Sequence, residues 1–129
     1  MVVIVTSQLA ASAGIDVAQL KIDFQNYKSG KEYDHEFFGK DSLCINSTVL
    51  HHVHIIPTDL VEFNRWIFNF EHYRKCTSDR FLYYSCGPGG YLLIDIVNDP
   101  GGHASLKNKE VMANLELVAA HFAIYGTIY

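Results

Sequence analysis

The chain is most constrained between residues 81 and 97, where the apolar runs Phe81 to Cys86 and Tyr91 to Val97 flank Gly87-Pro88-Gly89-Gly90. Aromatic and β-branched side chains suit a pleated surface, and glycine supplies the positive φ that a reversal needs. The segment therefore predicts a β-hairpin, and the rest of the chain has to be built round it. Residues 2 to 6 read as a buried strand. Asp16 followed by Gln19 resembles a capping box opening a helix with Val17, Leu20, Phe24 and Tyr27 on one stripe, which Gly30 ends. Glu32 to Thr48 reads as polar, aromatic and irregular, and His51 to Ile56 as a strand closed by Pro57. Over 59–73, Leu60, Phe63, Ile67 and Phe70 fit a helical stripe, although Trp66 to Phe70 is also compatible with extended chain; helix is preferred. Val111, Leu115, Val118 and Phe122 mark a closing amphipathic helix that ends near Gly126. This order predicts an α+β fold, an antiparallel sheet with helices against one face.

With 129 residues, 49% of them hydrophobic and 19% charged, the expectation is one globular domain over 1–129 that needs no disulfide or structural metal to hold it. Cys44, Cys76 and Cys86 form no CxxC pair and cannot all pair with one another, which favours a reducing compartment. The opening apolar run is too short for a signal peptide and the first basic residue is Lys21, so a cytoplasmic protein is expected. No stretch approaches the roughly 18 apolar residues of a membrane span. A net charge of -4 argues against a protein that wraps bare nucleic acid, but not against an enzyme that meets RNA on another scaffold.

Chemistry concentrates in His51-His52-Val53-His54-Ile55-Ile56 and in Asp99 to Asn108, where His103 follows two glycines at a strand-to-helix turn. Histidine alone exchanges protons near neutral pH without perturbation, so several imidazoles on ordered elements point to acid/base work or to a metal. Strand alternation puts His52 and His54 on one face and His51 on the other.

The chain resembles the YafO family of type II toxin-antitoxin toxins. The resemblance rests on Asp23-Phe24 with Tyr27-Lys28, Phe38-Gly39-Lys40-Asp41, His52-Val53-His54-Ile55, Ser78-Asp79 with Leu82 and Tyr84, Leu92-Leu93-Ile94, and Pro100 with His103, Lys107, Met112 and Phe122. Residues 57–77 depart from the family pattern. The resemblance implies a RelE-like fold, a small antiparallel sheet flanked by helices. It also implies a ribosome-associated endoribonuclease that cleaves mRNA without a metal or other cofactor, inhibiting translation and growth. The expected partners are a cognate antitoxin, mRNA and the ribosome, with no membrane and no DNA binding by the toxin alone.

Metal-free RNA cleavage needs a base for the 2'-hydroxyl, an acid for the leaving 5'-oxygen and positive charge on the phosphate. The candidates are His52, His54 and His103 for proton transfer, Lys40, Arg80 and Lys107 for phosphate contact, and Tyr84 for stacking or hydrogen bonding. Asp41 and Asp79 read as turn or cap residues. Two other readings compete. His52, His54 and His103 could ligate a catalytic zinc or iron, although no glutamate stands at the usual distance. Alternatively the chain is a non-catalytic module whose partner docks on exposed Trp66, Phe68 and Phe70.

Overall fold

A computed structural model of the chain describes residues 2–30 and 37–129. Along it run β1 (Val2–Val5), α1 (Ser7–Ala10), α2 (Val17–Lys28), β2 (Phe38–Leu43), β3 (His51–Ile55), α3 (Leu60–Tyr73), β4 (Phe81–Gly87), β5 (Gly90–Val97), α4 (Gly102–Leu106) and α5 (Lys109–Tyr125). The strands form one five-stranded sheet in the order β1-β5-β4-β3-β2. Its hairpin is the predicted one: β4 and β5 are joined through Pro88 and Gly89, and Gly89 holds φ 81, the residue pair and sign of a type II turn. All neighbours pair antiparallel except β1, which runs parallel to β5. β1 is also an edge strand with Val2 61% exposed, so the strand expected at residues 2–6 is present but buried only in part, at Val3.

The sheet is covered on both faces. Val53, Ile55, Leu82, Tyr84 and Leu93 pack beneath Leu9 of α1 and Leu20 and Phe24 of α2. Phe81, Tyr83, Leu92 and Ile94 pack on the other side beneath Leu115, Ala119 and Phe122 of α5. This corrects the expectation of helices against one face. The reason is legible in β4, where Phe81, Leu82, Tyr83 and Tyr84 are consecutive and all buried. A strand apolar at every position, rather than at alternate ones, needs two covers. A bulge between Tyr83 and Tyr84 shifts the hairpin register, and there the Ile94 carbonyl accepts the Thr6 hydroxyl at 2.7 Å, tying the end of β1 to the hairpin.

The segment read as irregular contains a strand, β2, while its residues 32–36 lie outside those described. β2 pairs with β3 through a bulge between Phe38 and Asp41, so both of these side chains reach the α2 side. A Cβ on Gly39 would stand 2.2 Å from the Cys76 carbonyl oxygen and 2.7 Å from the Trp66 ring. Glycine there lets β2 touch the chain after α3, and the Lys40 N–H donates to the Cys76 carbonyl at 2.9 Å.

The preferred helix over 59–73 is present, opened by the Asp59 carboxylate accepting the Glu62 N–H at 3.1 Å. Trp66, expected as an exposed docking aromatic, is only 1% exposed and is corrected to a core residue. Phe68 is half-exposed at 50%, whereas Phe70 is partly buried. α5 ends as expected, at Gly126 with φ 71.

Candidate functional site

Phe81 organises the site. It is fully buried at the start of β4, and three imidazoles surround its ring: His52, His54 and His103, with centroids 4.9, 4.6 and 5.0 Å away. Register explains the first two, since His52 lies opposite Tyr83 and His54 opposite Phe81 on the α5 side of the sheet. His51 points to the other face and stacks on Tyr84. The three rings follow one another, His52 to His54 at 5.8 Å and His54 to His103 at 5.5 Å.

His103 is the second residue of α4, which is docked by one carboxylate. Asp79 accepts the Gly101 N–H at 2.8 Å, the His103 N–H at 2.7 Å and the His103 ring Nδ1 at 2.8 Å. The Gly102 N–H donates to the Asp79 carbonyl at 2.7 Å, and a Cβ on Gly102 would meet that carbonyl oxygen at 2.7 Å and the Phe81 ring at 2.9 Å. Only glycine permits this approach. Burial acts to raise the Asp79 carboxyl, but the backbone N–H groups of His103 and Gly101 and the His103 ring outweigh it and hold the group below the usual carboxylate range. A carboxylate on Nδ1 assigns the proton of the neutral ring to that nitrogen and leaves Nε2 for a substrate.

His54 is the opposite case. Its Nδ1 accepts the Ser78 N–H at 2.8 Å, so the neutral ring carries its proton on Nε2. Burial, then the neighbouring His52 and His103, push its pKa down to about 4, so it is uncharged at neutral pH. His52 is lowered in the same way, by burial against the pull of Asp41. Its Nδ1 lies 3.5 Å from the sulfur of Cys44, whose thiol burial and Glu116 push up to about 12 and so keep protonated. The site thus joins an exposed, carboxylate-oriented histidine, its side chain 59% accessible, to two buried neutral ones.

These rings open into a cleft of about 640 Å³ walled by β2, β3, α3 and α4. Of the sequence-selected residues, the cleft unites His52, His54, His103 and Lys40. The other three are placed elsewhere. Arg80 is tied to the Asn98 side chain and the Ile56 carbonyl, each at 2.9 Å. Tyr84 lies on the far face of the sheet, donating to Asp41 at 2.7 Å and accepting from Lys28 at 2.7 Å. Lys107 ends α4 and is not among the residues that line the cleft.

Sequence reasoning passed over Asp79 as a bare cap, and did not select Ser42, Arg65 or Asn69, which also line the cleft. The signal for Asp79 was present. Phe81 and Val97 are partners at the open end of the hairpin, so the residues just outside it, 79 and 99–103, must meet. Among the described residues, no three His, Cys, Asp or Glu side chains converge to hold a metal ion.

A family model described as toxin YafO, type II toxin-antitoxin system, matches residues 25–124 of the 129. The chain belongs to the YafO toxin family. As a YafO toxin it has a cognate antitoxin as its expected partner. The match runs through residues 57–77, the segment expected to depart from the family pattern, and includes every element from β2 to α4. No curated protein and no solved structure matches this chain. Among the described residues of this YafO toxin, no helix is long and apolar enough to cross a membrane.

Proposed function

We propose that this toxin is a metal-independent endoribonuclease that cuts mRNA on the ribosome and thereby inhibits translation and growth. The observation that carries the reading is the Asp79–His103 pair at 2.8 Å beside two buried neutral imidazoles in one cleft with Lys40. A carboxylate that fixes the tautomer of a histidine prepares its other nitrogen as a base.

In this mechanism His103 Nε2 takes the proton of the 2'-hydroxyl, and the 2'-oxygen forms a bond to the adjacent phosphorus. The bond from phosphorus to the 5'-oxygen breaks, and that oxygen leaves with a proton from His52. The products are a 2',3'-cyclic phosphate and a free 5'-hydroxyl. His52 is neutral in the free protein, but a bound phosphate favours its charged form. The Nε2–H of His54 and the ammonium of Lys40 stabilise the non-bridging oxygens. The net charge of -4 gives little general attraction for RNA, which suits an enzyme whose substrate is held in place by the ribosome.

The test is inducible expression with RNA end mapping, in cells and in a purified translation system, comparing wild type with His103→Ala. Cleavage only on ribosomes, with cyclic-phosphate ends and none from the variant, is expected. Robust cutting of purified RNA would contradict ribosome dependence, and a fully toxic variant would remove His103 from the mechanism.

A further inference from the structure

A second cleft, of about 820 Å³, lies beside the histidine cleft and shares Lys40 and Thr77 with it. Its lining combines Tyr27, Phe38 and Phe70 with the cations Lys40, Arg74 and Lys75, and no carboxylate belongs to the described residues that line it. Arg65 in the adjoining cleft is paired with Glu62 at 2.9 Å, whereas Lys40, Arg74 and Lys75 bring three of the chain's ten lysines and arginines to this cleft with no carboxylate among its described lining residues, so a net-acidic protein concentrates positive charge here. Arg74 adds an independent observation. It caps α3 with φ 54, a left-handed conformation that favours glycine, and its guanidinium lies over the Phe70 ring at 4.6 Å. A strained non-glycine residue beside a functional cleft points to a use for its side chain.

We propose that this cleft binds the single-stranded RNA that flanks the scissile phosphate, a base stacking on the Phe70–Arg74 pair while Lys75 and Lys40 hold backbone phosphates. The assignment rests on the ribonuclease reading of the histidine cleft. Aromatic and guanidinium planes accept any base, and basic groups along a groove track the backbone, so the site positions RNA with little demand on sequence. Lys40 stands where the two clefts meet, and its charge reaches both His52 and His54. RNA crossing it passes directly from the binding cleft to the histidines.

The experiment titrates wild type, Arg74→Gly, Lys75→Ala and the charge control Lys109→Ala with a fluorescent 2'-O-methyl RNA of about seven nucleotides, which cannot be cleaved by 2'-hydroxyl attack, at several salt concentrations. Arg74→Gly removes the guanidinium while relaxing the backbone, so lost binding cannot be blamed on unfolding. Arg74→Gly and Lys75→Ala are expected to weaken binding roughly fivefold or more, with the salt slope falling by about 0.7 for each lost phosphate contact, while Lys109→Ala binds as wild type. A wild type that does not bind, or variants that bind as tightly as it does, would overturn the proposal. Mapping cleavage on ribosomes with the same proteins separates the two readings. Binding lost in the variants while wild type cuts no message sustains the RNA site and overturns only the nuclease; unaltered binding and cutting in Arg74→Gly overturns the site and leaves the nuclease standing.

Discussion

The two nitrogens of His54 set the acid stability of the site. Its unfolded ring takes up a proton near 6.5 and its folded ring near about 4, because burial and neighbouring imidazoles oppose the charge. Between those values the unfolded chain holds the extra proton, so stability falls as pH drops through that window and is constant above it; the loss is on the order of 3 kcal/mol. His54→Asn keeps an acceptor for the Ser78 N–H and removes the titration, so urea midpoints at pH 7 and pH 4.5 should differ less in the variant than in wild type. Asp79→Asn addresses the other histidine. It leaves one oxygen for the α4 backbone but removes the second acceptor and the charge that supports His103, and the mapped cleavage rate should drop by ~10²-fold or more with only a modest fall in Tm. The histidines were legible from spacing and alternation alone. Their protonation was not, because it depends on Ser78, Asp79 and Cys44, which reach them only through the fold.

At the scale of elements, α3 is anchored by one residue. Trp66 is its only buried side chain, seated on Gly39 of β2. Trp66→Ala should cost ~3–5 kcal/mol in chemical denaturation and open both clefts, since α3 walls each of them. Gly102→Ala should act more locally, by driving the start of α4 off the Asp79 carbonyl and the Phe81 ring. The expected signature is loss of the downfield His103 Nδ1–H resonance together with cleavage, while the hairpin amides stay protected from exchange. α2 could be read from the sequence by its cap at Asp16, and α3 by its apolar stripe, while the Asp59 cap of α3 emerges only in the structure. β2 could not, because its glycine and its bulge erase the alternation by which a strand is recognised.

For the whole molecule, the hairpin and its two covers determine what can be removed. β1 supplies the pairing edge for β5, and Thr6 satisfies the Ile94 carbonyl, so deleting residues 1–6 leaves β5 as an open edge. That truncation should lower Tm and promote self-association, read by thermal melts and sedimentation. The hairpin is foreseeable from its turn, but helices on one face only do not suffice, because the continuous apolar run of β4 carries buried side chains to both faces of the sheet. The proposed catalytic pair also depends on the hairpin, since Asp79 precedes β4 and His103 follows β5. Insertions and deletions are therefore unequal in their effects. Extra residues at Pro88–Gly89 lengthen the tip and leave the far ends aligned, whereas one residue gained or lost within either arm turns one partner toward the opposite face. Length changes at the tip are thus expected to spare the contact between Asp79 and His103, while a one-residue change in an arm is expected to break it.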